Sequence, residues 1–474
     1  MKLPLVLVLV SVLTLACGNN TDSAVESVDL KETTGLDDSR IVPDSEAPDG
    51  LGELPRMADM ADFKQDSEDI TPDTMDLAEQ TDGMGDSDAA EVDVAQLPAW
   101  PESLPMPVVD GLALLEASIS IVDGVEVESP QSYPYVVDTI AQVCFIDGDL
   151  VGDFLYHEVD MTIGNDFFEL FLVKGRDMSL DEAFLGVDIG GLIGQSYVLK
   201  RFMVMDYVNE LFYSLDGAPE LVLPSMPETP VVSVNVAVQN AFPVLTAEIA
   251  PEVSVALMAD TSSRMSYLTE SQFAKINAEG LPAVEGYVYA TKYGEDPCTL
   301  TRLPFIRLGE LEVTDLEICI IPDDHHTKAI LEPNGVLVEG FLGAGVWNRF
   351  ALAIDAFGGD EYTPQQYHFW GDGAEPESWA DRWHKVGVEL TLREGLVMVE
   401  MVYAGFDAGN QGLEVGDQLV NVDGISLTGP DAPTLEAVRQ MLRGEVGTTR
   451  SLIAVKPLSD EPLATDVLVE DILP

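Results

Sequence analysis

Two phrases of this chain superpose without a gap. Aligning GLIGQSYVLKRFMVMD on Gly191 with GFLGAGVWNRFALAID on Gly340 puts Gly194 on Gly343 and Asp206 on Asp355. Upstream of each, an apolar run delivers an Asp-Thr pair: YVVDT ends at Thr139 and VALMADT at Thr261. A single Asp-Thr after a strand is common and carries almost no weight. The repeated order is the constraint: apolar run, Asp-Thr, several strands, Gly-x-x-Gly, then an apolar stretch closing on Asp. Such a chain is expected to fold as two similar units that present their Asp-Thr turns in equivalent places.

The text between these landmarks is strand-like. ASISIVDG, YPYVVDT, VDMTIGN and FFELFLVKG, and later SVNVAV, VLTAEI, VSVALM, GYVYATKYG and LEVTDLEICII, are β-branched and aromatic runs broken by Gly, Pro, Asp and Asn. A mainly β fold follows, with Pro-rich APELVLPSMPETP and polar QQYHFWGDGAEPESWADR as joints. The expected organisation is a first lobe over residues 105–220, a second over 231–365 and a third unit over 383–460.

The two halves, over roughly residues 108–362, resemble the lobes of pepsin-like or retropepsin-like aspartic proteases. In that family each lobe presents an Asp-Thr-Gly or Asp-Ser-Gly loop after a strand and closes with an Ile/Leu-Gly turn, as LIGQSYVLKRF and FLGAGVWNRF do here. The resemblance implies that Asp138 and Asp260 form a catalytic pair, braced by Thr139 and Thr261. Two carboxylates held close do not both ionise easily, so one keeps a proton while the other is charged. The charged one then takes a proton from a water attacking a peptide carbonyl, and the protonated one donates to the carbonyl oxygen. Ile140 and Ser262 stand where the family has Gly. A Cβ there fills space used by the partner loop and by substrate, and Ile adds a stiff branched side chain. The sequence displays no clear substrate-covering hairpin. The resemblance implies an aspartic endopeptidase or, alternatively, an inactive relative that binds peptides or envelope proteins without cutting them.

Residues 383–456 resemble a PDZ domain more closely. Gly412-Leu413-x-x-Gly416-Asp417-x-Leu419-Val420-x-Val422-x-Gly424 follows that family's pattern, with Asp423 where Asn is usual. Thr434 is placed to cap a helix over 434–443. Leu435, Val438 and Leu442 share one face of it at spacings of three and four. The resemblance implies a groove in which Val438 and Leu442 face the strand near Val388 and Leu390. An extended peptide would pair there, its terminal carboxylate received by backbone donors around Val386, Gly387 and Val388. Protein or peptide C-termini are the implied partners.

The opening MKLPLVLVLVSVLTLAC carries one basic residue and then about 14 apolar ones, too few to span a bilayer and suited to a secretory signal. Leu15-Ala16-Cys17 resembles a bacterial lipobox, with Thr14 where Leu is usual, so residues 1–17 are expected to be a signal peptide and Cys17 the lipidated residue. The implied location is the cell envelope, on the outer membrane's periplasmic or surface side. Residues 18–104 follow as a tether; 18–97 alone hold 23 acidic and 4 basic residues, too few apolar side chains to offset ordering entropy, and like charges that extend the chain. Removal of Cys17 leaves Cys144, Cys298 and Cys319, of which Cys298 and Cys319 are a plausible disulfide and Cys144 a lone buried thiol.

No phosphate-cradling Gly loop or Ser-His-Asp order stands out. Asp323-Asp324-His325-His326 reads as a solvated loop, and Asp147, Asp149 and Asp153 lack the rest of a calcium loop. Neither a metal nor another cofactor is expected. The formal net charge of −61 argues against nucleic acid and anionic lipid as partners. With residues 18–97 and Lys2 set aside, 61 acidic residues still face 18 basic ones, so the folded part repels itself. Added NaCl should screen that repulsion; thermal melts from low to molar salt are expected to shift to higher midpoints, and an unchanged midpoint would refute this reading.

Overall fold

The computed structural model describes residues 99–474 apart from short stretches, the longest being 326–335 and 357–365. The signal peptide, Cys17 and nearly all of the tether therefore lie outside the described residues. The folded part is mainly β, built on four sheets. Among the described residues no helix is long and apolar enough to cross a membrane.

The first eight-stranded sheet uses strands between Val108 and Ile193, and the second uses strands between Ala237 and Leu342. Seven strands of each correspond in order, and each sheet adds one of its own, Val125–Glu126 in the first and Ala283–Thr291 in the second. In the first, Ser132–Val137 runs parallel to Gly191–Ile193, and Cys144–Asp147 pairs antiparallel with that same short strand. In the second, Val253–Ala259 runs parallel to Gly340–Leu342, and Ser266–Thr269 pairs antiparallel with it. Each Gly-x-x-Gly phrase is thus a central strand wedged between the strands before and after an Asp loop. The wedge explains its glycines. A Cβ on Gly191 would stand 2.0 Å from the Phe145 carbonyl oxygen, and one on Gly340 would stand 2.0 Å from that of Tyr267.

The six-stranded sheet joins the halves. Phe202–Asp206 pairs antiparallel with Ala351–Asp355, with Phe202 opposite Asp355, Val204 opposite Ala353 and Asp206 opposite Ala351. These pairings are reciprocal under the alignment of Gly191 with Gly340, so the sequence repeat is a structural two-fold with its axis at Val204 and Ala353. The two strands are buried almost throughout, and FMVMD and ALAID accordingly read as continuous apolar runs without alternation. Leu211–Leu215 and Gln366–Trp370 flank them, and Leu104–Pro105 and Val232–Asn235 form the edges.

The halves differ beyond the strand that follows the Asp loop. Both leave it through one helical turn, Gly148–Val151 in the first and Glu270–Phe273 in the second, and the first then goes directly to strand Tyr156–Ile163. The second adds a strand, Ala283–Thr291, which forms a hairpin with Gly294–Leu308, the counterpart of Tyr156–Ile163. Its strand alternation is interrupted by a register shift between Val284 and Tyr287, where Gly286 has φ 72°, so the sequence does not read as a regular hairpin. Cys298, on the hairpin's second strand, is disulfide-bonded to Cys319 on the next strand. Cys144 is buried.

The seven-stranded sheet holds the chain from His384 to Asp471, with the edge strand Val388–Arg393 beside helix Leu435–Met441. Thr434 Oγ1 accepts the Ala437 N–H and caps that helix. Its buried face, Leu435, Val438 and Leu442, closes the local core.

The wedge makes a sharp comparison possible. Gly340→Ala drives a Cβ onto backbone rather than a movable side chain, and is expected to cost about 3 kcal/mol. Gly409→Ala meets only Val402 Cγ1 at 3.4 Å, and is expected to stay within about 1 kcal/mol of the unmodified chain. Urea unfolding of both variants measures the difference.

Candidate active site

Asp138 and Asp260 each follow a buried strand end, and the two loops are tied by their threonines. The Thr139 N–H donates to Thr261 Oγ1 at 3.2 Å, and the Thr261 N–H donates to Thr139 Oγ1 at 3.1 Å. Each hydroxyl then donates across to the strand of the other half: Thr139 Oγ1 to the Ala259 carbonyl at 2.6 Å, Thr261 Oγ1 to the Val137 carbonyl at 2.7 Å. All four bonds are buried, and each hydroxyl acts as both donor and acceptor. No hydrophobic side chain could satisfy these backbone groups.

The same closing strands hold the aspartates from behind. The Asp138 N–H donates to the Ile193 carbonyl at 2.9 Å, and the Asp260 N–H to that of Leu342 at 3.0 Å. Gly194 and Gly343 lie across the loops, where a Cβ would fall 2.5 Å from the Ala141 oxygen or 2.6 Å from the Ser263 oxygen. Two supports had no distinctive sequence signal. Gln195 Nε2 donates to the Thr139 carbonyl at 2.8 Å, and Trp347 Nε1 donates to that of Asp260 at 2.8 Å. Only their position just after each Gly-x-x-Gly phrase could have pointed to them.

The carboxylates are oriented by their own loops. Asp138 Oδ1 accepts from the N–H groups of Ile140 and Ala141 at 2.8 and 2.9 Å. Asp260 Oδ1 accepts from the Ser262 N–H at 3.0 Å and from the Ser262 hydroxyl at 2.8 Å. Asp138 Oδ2 is buried with no hydrogen-bond partner among the described residues. A buried carboxylate oxygen in that condition is costly, and such atoms cluster where proteins do chemistry.

Neither Ile140 nor Ser262 has a positive φ, so the loops do not need glycine for their backbone path. Ser262 even supplies a hydroxyl to Asp260. The consequence of Ile140 is spatial. It is buried with Met265, Val284 and Tyr287 of the second half, in a cluster that also takes in Trp383, Tyr403 and Leu473 from the C-terminal part. Tyr287, on the hairpin, stacks on Tyr403 at 6.2 Å and meets Trp383 edge-on at 6.1 Å. Trp383 Nε1 donates to Glu317 Oε1 at 3.1 Å, and Arg382 pairs with Glu317 Oε2 at 3.1 Å. Burial, the largest single influence, pushes the Glu317 carboxyl up, but the Arg382 and Arg302 guanidiniums and the hydrogen bonds it accepts, Trp383's among them, together hold it below the usual range.

Of the six residues expected to line a peptide groove, Val388, Leu390 and Leu442 share a cavity with Tyr287 and Trp383 of this contact. Val386, Val388, Leu390, Val438 and Leu442 are all buried. The Val386 N–H is already spent on the Leu442 carbonyl at 3.0 Å, and the Gly387 carbonyl accepts from Tyr403 N–H. The first half covers this region: Thr391 Oγ1 donates to the Ala183 carbonyl at 3.0 Å, and Arg439 Nη2 donates to that of Phe184 at 2.7 Å. Among the described residues no cluster of His, Cys, Asp or Glu could hold a metal. In the expected solvated loop, His325 is buried near Tyr267, and His326 is outside the described residues.

With the geometry in view, comparison with known proteins found no matching family model and no matching curated protein.

The threonine ties predict strong coupling. Thr139→Val and Thr261→Val each strand a buried N–H and a buried carbonyl, at roughly 2–4 kcal/mol per variant. Each removes half of one reciprocal unit, so the double variant should lose about 1 kcal/mol or more less than the sum. Equilibrium unfolding of the four proteins in the cycle checks this, and strict additivity would contradict it.

Proposed function

We propose that residues 108–362 form an aspartic-endopeptidase-like centre in which Asp138 and Asp260 act together on a peptide bond. The observation that carries the reading is the reciprocal threonine tie, which holds two Asp loops face to face across a two-fold axis. In this scheme one carboxylate removes a proton from water as its oxygen attacks the carbonyl carbon, while the other, protonated, donates to the carbonyl oxygen. Collapse of the tetrahedral species breaks the C–N bond and passes a proton to the leaving amine. Hydrogen bonds to Oδ1 on both sides fix the carboxylate planes, as positioned acid–base groups require. The same reading takes residues 383–460 as a PDZ-like unit for peptide or protein C-termini, which bind once the contacts of Thr391 and Arg439 with Ala183 and Phe184 part. It takes residues 1–17 as a lipoprotein signal peptide, with lipidated Cys17 and the tether over 18–104 holding the protein at a bacterial envelope membrane.

One observation favours a second reading, a non-cleaving peptide binder. Asp138 is 1% exposed and Ile140 4% exposed, packed into the cluster shared with the hairpin and the C-terminal part. Substrate reaches Asp138 only if that cluster opens.

Purified full-length chain is expected to cleave unstructured peptides in the acid range, with pepstatin blocking cleavage and Asp260→Ala lowering it by at least about a thousandfold. No cleavage anywhere from about pH 3 to 8 would sink the endopeptidase reading. Cleavage appearing only in the Ile140→Gly, Ser262→Gly double variant would establish the binder.

A further inference from the structure

Beyond the Asp loops, the part of the molecule least like the rest is a partly open cavity of about 60 Å³. Its wall is drawn from the turn at Asp110, from Arg264 just past the second Asp loop, from the segment 382–390 and from the helix bearing Arg439. In a chain with 84 acidic and 23 basic residues, five cations meet here: Arg264, Arg382, Lys385, Arg439 and Arg443. Two carboxylates, Asp110 and Glu389, line the cavity with them. Glu317 pairs with Arg382 at 3.1 Å and Glu436 lies 3.9 Å from Arg439, and the five cations still outnumber these four acids.

The donors are also under-used. Asp110 Oδ2 is shared, contacting Arg264 Nη2 and lying 3.6 Å from Arg439 Nη1. Glu389 is taken by Lys385 and the Tyr403 hydroxyl. Among the described residues, the Nε atoms of Arg264, Arg382 and Arg439, and Nη1 of Arg439, are buried with no hydrogen-bond acceptor. The Arg439 side chain is nine-tenths buried. Burial, with Arg439 close by, lowers the Arg264 guanidinium to about 10, and burial lowers Lys385 and Arg439 as well. Clustered buried N–H groups of one charge sign are unfavourable unless an acceptor of opposite charge sits among them. A guanidinium's planar fork suits tetrahedral and planar oxyanions best.

We propose that this cavity binds a small free oxyanion of the phosphate class, held by Arg264, Arg382 and Arg439. The anion would tie the second Asp loop to the C-terminal part, because its ligands come from both. The site shares Val388, Leu390 and Leu442 with the expected peptide groove, but its cations come mainly from outside that groove. It stands whether or not the Asp pair cuts peptides.

The test uses full-length Asp138→Asn protein, so that its result is independent of hydrolysis. Inorganic phosphate is titrated at constant ionic strength, balanced with NaCl. One saturable site is expected by calorimetry, with a melting midpoint that climbs with the logarithm of phosphate. Arg264→Met and Arg439→Met should each weaken binding about tenfold or more. Should either fail to fold, Arg264→Lys and Arg382→Lys keep the charge, lose the fork and should still weaken binding. A midpoint that follows ionic strength alone overturns the proposal. So does phosphate binding unchanged in a folded Arg264, Arg439 double variant, which would mean an adventitious ion only.

Discussion

Everything in residues 105–365 is arranged around a pair of hydroxyl groups. Thr139 and Thr261 each satisfy one N–H and one carbonyl of the opposite loop, in a place without solvent to do so. The groups that make this contact possible are the closing strands behind it, whose glycines let three segments pass within van der Waals distance of one another. The shared sheet adds a second tie on the same axis, with Val204 opposite Ala353. A shift of either half would break both ties together, so the Asp loops are positioned by the whole interface rather than by local turns.

Departures from two-fold symmetry collect on one side. After equivalent helical turns, the second half adds the strand Ala283–Thr291 and so extends a disulfide-bonded hairpin that the first half lacks. That hairpin's Tyr287 is then held by Tyr403 and Trp383, and burial raises its hydroxyl to about 12, leaving it neutral and suited to an apolar contact. Ile140 joins the same cluster from the first Asp loop. A glycine at 140 would leave a gap there, so Ile140 is explained as packing for this lid-like contact. Its backbone N–H still serves Asp138, which separates the two roles of the position: the loop keeps its hydrogen bond, and the side chain packs into the shared cluster.

The mainly β fold and the internal two-fold were legible because they rest on patterns that local physics imposes: strand-like apolar runs, turn residues, and glycines where backbones touch. FMVMD and ALAID revealed their central position by lacking alternation. The hairpin stayed hidden because its bulge at Val284 to Tyr287 disrupts the period-two pattern. Gln195 and Trp347 stayed hidden because an amide or an indole after a turn has many uses, and only the folded chain brings it to a loop carbonyl. The groove residues illustrate a further limit. Spacing placed Val438 and Leu442 on one face with Leu435, yet could not say that residues 183 and 184 of a distant segment would lie over the neighbouring strand.

The charge distribution follows the same division between local and assembled properties. An acidic surface is a bulk feature, written in composition and resisted only by salt or by internal packing. Five of the chain's 23 cations stand scattered along the sequence at 264, 382, 385, 439 and 443, with nothing in their spacing to unite them. Folding gathers them beside Asp110 and Glu389, where burial depresses Arg264, Lys385 and Arg439. The negative remainder of the protein favours these cations at long range, while local desolvation disfavours them, and the local effect prevails for these three residues. Long-range field alone therefore does not satisfy the cluster; its unpaired N–H donors require acceptors at hydrogen-bond distance. The joint between the second Asp loop and the C-terminal part is consequently the place where a bound anion would alter the packing around the Asp pair most directly.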